Sequence, residues 1–266
     1  MLTRPVIIAC KELADHCRDT RSLISSTMYA LMGPAVVLLV LVARDGAAPA
    51  SGRGPWPTMA AVFAVVAVFT SVAAMATDMI AGERERRSLL PLVGAVPRRG
   101  HVVVGKWFAA TAFGAAGLLL NVLAFGAVFA AFRGARPAML DAVLVAPALL
   151  PLALLAASLA IGVSTACRNT KEANTWWSML TFVVMGVSMW LAFRPDTTHG
   201  WTSVAPILGQ QRLLEWGFAG AAPSLVDAAI IARHAAVLGA TTAAAAGLVL
   251  AATWILFRRD EAVYGA

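Results

Sequence analysis

Apolar runs about twenty residues long recur along this chain, and several hold no charged side chain. A helix of that length spans the hydrocarbon of a bilayer. A soluble helix would have to show a polar face along such a run. Composition agrees: 60% of residues are hydrophobic and 13% charged, against about 25% charged in soluble domains. The pattern predicts an all-α polytopic membrane protein with six transmembrane helices. They cover about 26–42, 58–77, 107–132, 142–166, 174–193 and 234–257. Little chain is left between them, so residues 1–266 read as a single transmembrane domain.

Six spans put both termini on one side, and basic residues decide which. The N-terminal segment, the block 78–106, the turn after the fourth span and the C-terminal tail hold fourteen of the 21 Lys and Arg residues. The longer opposite loops hold seven. Positive charge marks the cytoplasmic side. The net charge of +7 follows from this bias and from anionic lipid, and does not point to nucleic acid. The start of the chain is charged where a cleaved signal would be apolar. Cys10, Cys17 and Cys167 all fall on predicted cytoplasmic segments, and an odd number there argues against a disulfide framework.

Three segments outside the spans carry pattern. Residues 3–24 read as an amphipathic interfacial helix, with Val6, Cys10, Leu13, Cys17 and Ile24 on one face and Lys11, Asp15 and Arg18 on the other. Residues 78–106 hold Glu83, Arg84, Glu85, Arg86 and Arg87 almost consecutively, then Leu89, Leu90 and Leu92, then Pro97 and Arg98, then Gly105 and Lys106. A single Arg at the bilayer centre costs at least about 2.5 kcal/mol, so this block lies outside the hydrocarbon. Residues 194–233 are too long for a hairpin and too apolar for a free loop. Pro206 and Gly209 break that stretch, Gln210 follows, and Trp201 and Trp216 suit the headgroup level. The stretch reads as one or two short re-entrant or interfacial helices on the outer face.

Catalytic and metal chemistry find little support. Gly100–Trp107 reads GHVVVGKW, close to a phosphate-loop motif, but Trp107 stands where a Mg²⁺-ligating hydroxyl is needed. Lys106 reads instead as an interfacial anchor or part of a coupling contact. His16 beside Cys17 lacks further ligands near by in sequence for tetrahedral zinc. Carboxylates are nearly missing from the spans, which argues against proton coupling. Asn121 is the most central strongly polar residue.

The order of parts in 78–106 resembles the cytoplasmic coupling segment of ABC type-2 exporter permeases. The matching residues are Glu83, Leu89, Leu90, Pro97, Arg98, Gly105 and Lys106. The N-terminal helix is similar to the connecting helix of that family. Two patterns resemble its NatB-type sodium-export branch. One is Lys11, Glu12, Leu13, Arg18 and Asp19, and the other is Pro206, Gly209, Gln210, Leu213 and Leu214.

The resemblance implies a permease subunit of a bacterial inner-membrane exporter, with N- and C-termini cytoplasmic. It implies two copies of a separate ABC ATPase subunit, which supply the ATP and Mg, and a second permease copy or homologue. The chain itself then holds no cofactor and no ATP site. Glu83, Arg84, Glu85, Arg86, Arg87, Leu89, Leu90, Pro97, Arg98 and Lys106 would form the ATPase contact. Pro206, Gly209 and Gln210 would shape the outer re-entrant turn. Sodium exporters carry a much larger outer domain where this chain has only about 44–57. Sodium, a drug and a lipid-like molecule therefore all stand as substrates. A membrane scaffold or assembly factor without transport is the alternative function.

Overall fold

The computed structural model describes residues 3–43, 56–95, 99–133, 149–193, 201–219 and 225–258. Every regular element among them is helical. In order these are α1 (Thr3–Arg18), α2 (Thr20–Ala43), α3 (Trp56–Thr77), a π-helical turn (Asp78–Gly82), α4 (Glu83–Glu85), α5 (Leu89–Ala95) and α6 (Gly100–Arg133). Then follow α7 (Leu150–Ala166), α8 (Thr170–Phe193), α9 (Leu208–Ala219) and α10 (Leu225–Phe257).

Five helical stretches are long and apolar enough to cross a membrane: Thr20–Ala43, Trp56–Glu85, Gly100–Ala131, Thr170–Phe193 and Ala232–Phe257. The second is free of charge only as far as Thr77, so its membrane-spanning part ends there. Leu150–Ala166 is apolar but shorter. The start of the expected fourth span, 142–148, lies outside the described residues, as do the loop at 44–55, the turn at 133–137 beyond Arg133, and 194–200. The third helix begins at Gly100, seven residues before the expected span, because nothing in GHVVVGK stops a helix that Arg99 opens through its carbonyl.

α3 is the axis of the bundle. It packs against α2, α6, α7, α8 and α9, and Ala60, Ala61, Ala64, Val65, Val68, Phe69 and Val72 are all enclosed. Small residues bring its neighbours close. A Cβ on Gly33 of α2 would fall 2.5 Å from Phe63 Cβ. The Trp177 indole of α8 stacks on Phe69 and donates to its carbonyl at 3.2 Å. Helix ends are capped by side chains: Asp19 accepts from the amide of Arg21 at the start of α2, and Asn169 accepts from the amide of Glu172 at the start of α8.

Pro34 sits inside α2, as expected for a span. Proline has no amide proton, so the carbonyl four residues earlier loses its helical partner. That carbonyl belongs to Ala30, and the Asn121 side chain of α6 donates to it at 2.6 Å.

The helix expected over 3–24 ends at Arg18, and Ile24 falls on α2. Of the expected stripe on this helix, Val6, Cys10 and Cys17 are exposed and Leu13 packs half-buried on the core, while Pro5, Ile8, Ala9 and Glu12 are its buried positions. A helix lying between protein and lipid needs two unlike faces, and a single apolar stripe in sequence does not say which meets the protein.

Candidate functional site

Gly105 and Lys106 explain why α1 lies where it does. A Cβ on Gly105 would fall 2.7 Å from Ile8 Cβ and 2.8 Å from the Pro5 carbonyl oxygen. Only glycine lets α1 seat so closely on the base of α6. The next residue fixes that seat. Lys106 is fully buried, and its Nζ lies 3.0 Å from Glu12 Oε1 on α1. The same Nζ lies 3.0 Å from Glu83 Oε1 at the start of α4. One ammonium thus joins the N-terminal helix, the charged turn and the third long helix. Lys106 is therefore not a lipid-facing anchor. Removing one member of a buried ion pair typically costs about 3–5 kcal/mol, which makes this cluster a strong local constraint. Glu83 lies beyond the membrane-spanning part of its helix, and burial pushes its carboxyl above the usual carboxylate range against the opposing pull of Lys106.

The other acidic and basic side chains from Arg84 to Arg86 also find partners within the chain, those of Glu85 and Arg86 at its surface. Arg84 donates through Nη1 to the Cys167 carbonyl at 2.6 Å and through Nη2 to the Thr165 carbonyl at 3.1 Å. Those are free carbonyls at the end of α7, where the helix dipole favours a cation. Glu85 accepts from the amide and hydroxyl of Thr170, at 3.2 and 2.8 Å, where α8 starts and a carboxylate is favoured. Arg86 pairs with Asp78 at 2.7 Å. A Cβ on Gly82 would fall 2.0 Å from Asp78 Oδ1, so the glycine makes room for that carboxylate. The amides of Ile80 and Ala81 in the π-helical turn both donate to Ser164 Oγ, each at 3.0 Å. The turn is thus fastened to α1, α6, α7 and α8.

Arg87 differs. Its φ is 58°, the left-handed region that favours glycine. The Arg87 amide donates to the Arg84 carbonyl and the Ser88 amide to the Glu83 carbonyl, a Schellman-type close. Its side chain is exposed and, among the described residues, has no partner. Leu89 faces inward and is buried in the core. Pro91 and Gly94 are exposed, and a Cβ on Gly94 would meet nothing within 4 Å. Leu90 lies in α5 by its backbone. Pro97 and Arg98 lie outside the described residues.

The phosphate-loop-like stretch Gly100–Trp107 forms the first turns of α6. Its lysine points at two carboxylates, and a continuous helix offers no loop of amides around a phosphate.

At the opposite end of α3 the three outer residues meet. Gln210 is buried, accepts from the Ile207 amide at 2.6 Å and donates to Thr242 of α10 at 2.7 Å. A Cβ on Gly209 would fall 2.5 Å from the Ser203 carbonyl oxygen and 2.6 Å from Leu238 Cδ1. Pro206 precedes Ile207, which adopts φ 74°. Gln211 donates to the Ser188 carbonyl of α8 at 3.1 Å, and Glu215 accepts from Thr58 at the start of α3. Helix α9 is therefore tied to three helices of the bundle. Sequence pattern named Pro206, Gly209 and Gln210 but not Gln211, Ser164 or Glu12 as parts of these sites. Glu12 was legible only as one member of the Lys11–Asp19 pattern that resembles the NatB-type branch.

No curated protein matches this chain. The sequence of residues 6–260 matches the family described as ABC-2 family transporter protein. That match spans nearly the whole chain, from the helix that bears Glu12 past the end of α10, and the chain belongs to the ABC-2 family of membrane transporter proteins.

Proposed function

We propose that this chain is the permease subunit of an ATP-driven exporter, and that 78–106 docks a separate cytoplasmic ABC ATPase. The family match supports transport. The observation that carries the docking reading is the division of labour within the turn. Glu83, Arg84 and Glu85 hold it to α6, α7 and α8 and Arg86 closes it on its own Asp78, while Arg87, Pro91 and Gly94 are left exposed on it without such a tie among the described residues. A lever must be fixed to what it moves and open to what moves it. Lys and Arg bias puts this end in the cytoplasm with both termini, and two ATPase copies below a pair of permeases complete the reading. Helix α9, at the far end of α3, is read as the outer re-entrant element, and six spans as the topology.

A hydrophobic or lipid-like substrate is favoured over a bare ion. A cavity of about 550 Å³ opens between α7 and α8, lined mainly by the apolar side chains of Val163, Ala166, Trp176, Met179, Leu180 and Val183, with Cys167 and Glu172 as its more polar members. With Glu172 the single carboxylate among the described lining residues, such a lining suits an apolar molecule better than a bare ion, whose hydration must be replaced by several polar groups.

Gly94→Trp tests the docking. Among the described residues nothing lies within 4 Å of a Cβ there, so insertion and thermal stability are expected to stay normal. Copurification of the ATPase from native membranes is expected to fall severalfold. Unchanged copurification would reject docking on this face, and wild-type membranes yielding no ATPase would favour the scaffold.

A further inference from the structure

Lys106 has one more partner than a buried ammonium needs. Glu12 and Glu83 each reach its Nζ at 3.0 Å, from separate elements. They are held unequally. Glu83 Oε2 is buried without a hydrogen-bond partner, whereas Glu12 also has Lys11 at 3.8 Å on its outer side. Lys11 in turn pairs with Asp15 at 3.4 Å, and His16, with Asp78 and Asp19 near it, stands edge-on to Phe113. The α1 backbone is locked against α6 at Gly105. The Glu12–Lys106 half therefore belongs to a fixed seat, and the Glu83 half to the turn that carries the exposed face.

We propose that Glu12 is a positioning residue of the coupling machinery: it keeps Lys106 paired when the turn withdraws Glu83, so the turn moves without stranding a buried charge. The coupling role rests on the ATPase-driven reading above. With Glu83 as sole counter-charge, leaving would strand an ammonium in a low-dielectric site, which is strongly disfavoured. With Glu12 present, Lys106 is paired before and after the movement. A bistable element needs two arrangements of similar energy, and a shared counter-charge provides them.

Two measurements on the full chain test this. The first is a thermal-unfolding cycle of the purified permease with Glu12→Gln, Glu83→Gln and both. Each single change is expected to lower Tm slightly, and the double change by clearly more than the sum. Lys106→Met added to the double is expected to recover most of the loss. Additive losses would overturn the sharing of the ammonium, and this arm needs no ATPase. The second uses the permease–ATPase complex in lipid vesicles, with a spin label on Ser88→Cys in a background lacking the native cysteines. ATP is expected to change label mobility in the wild-type background. With Glu12→Gln the turn is expected to stay fixed and ATP turnover to fall about tenfold, equivalent to about 1.4 kcal/mol. Adding Lys106→Met is expected to restore the movement. An unaltered ATP response in Glu12→Gln would overturn the proposal. A wild-type preparation that binds no ATPase would overturn the coupling role and the function reading together, with the unfolding cycle still deciding whether the charge is shared.

Discussion

The side-chain amide of Asn121 donates to the main-chain oxygen of Ala30 at 2.6 Å, and Ala30 stands four residues before Pro34 in α2. The proline removes a donor from one helix, and the asparagine of another supplies it. Asn121 is fully buried, so leaving the Ala30 carbonyl unsatisfied would cost about 1–3 kcal/mol. Asn121→Leu is therefore expected to destabilise the purified protein by that order. Pro34→Ala returns an amide proton to α2 and is expected to cancel most of the loss. A thermal-melting cycle in detergent checks this. Equal losses with and without Pro34→Ala would mean that Asn121 acts through packing alone.

Gly209 is a tight point of the contact between α9 and α10. An added Cβ would meet a backbone oxygen, that of Ser203, and both methyls of Leu238. The side chain can shift but the carbonyl cannot without moving the Trp201–Ile207 turn. Gly209→Ala is expected to cost about 1–3 kcal/mol of stability, as overpacking does, and Gly209→Val more. Leu238→Ala in the same chain is expected to relieve only part of it. ATPase copurification should not change, since the charged turn at 78–88 lies at the other end of α3. A Gly209→Val protein as stable as wild type would return this stretch to an ordinary loop.

Much of this arrangement is written locally. The spans, the π-turn region's charge cluster and the Pro206–Gln210 pattern are visible because hydropathy and turn chemistry act over a few residues. The partners of those residues are not. Nothing near Glu83 in sequence points to Lys106 or to Glu12, because the pairing depends on how α1 crosses α6 at Gly105. The same limit applies to Arg84. Its charge reads as a docking charge in sequence, yet its guanidinium bridges two carbonyls at the end of α7. The stripe of Val6, Cys10 and Cys17 was legible as a face but not as the outer one. Periodicity gives an angle around a helix and says nothing of which neighbour fills it.

The three cysteines separate topology from burial. Cys10 and Cys17 are exposed on α1, and Cys167 is buried after α7. Burial also raises the Cys167 thiol, with the nearby Glu172 adding to the effect and Arg84 opposing it, so little reactive thiolate forms at neutral pH. A membrane-impermeant maleimide is expected to label Cys10 and Cys17 in inside-out vesicles and none of the three in intact cells. Cys167 is expected to react only after Arg84→Ala frees the end of α7 or after denaturation. Labelling of Cys10 from outside intact cells would reverse the orientation.

Arg87 combines an unfavourable backbone with an unused charge. Its φ of 58° costs a non-glycine residue roughly 1–2 kcal/mol, and among the described residues no contact of its exposed side chain offsets that. Glycine at this position removes the backbone cost and gives back about 0.5–1 kcal/mol through the greater freedom of the unfolded chain. Arg87→Gly is thus expected to leave thermal stability unchanged or raise it by up to about 1 kcal/mol. A residue kept only to close the turn would make that the whole effect. A residue that docks a partner would show an opposite second effect. A charge pair desolvated at an interface couples by about 1.5–7 kcal/mol, whereas a solvated one is worth about 0–1 kcal/mol. Arg87→Gly is therefore expected to weaken ATPase copurification at least tenfold while the permease melts no earlier, and Arg87→Glu to weaken it further. Lys at the same position keeps the charge and the strained backbone, so Arg87→Lys is expected to retain most of the binding. A protein with Arg87→Gly that is at least as stable and binds the ATPase normally would remove Arg87 from the contact, and would leave Pro91 and Gly94 to carry the docking alone.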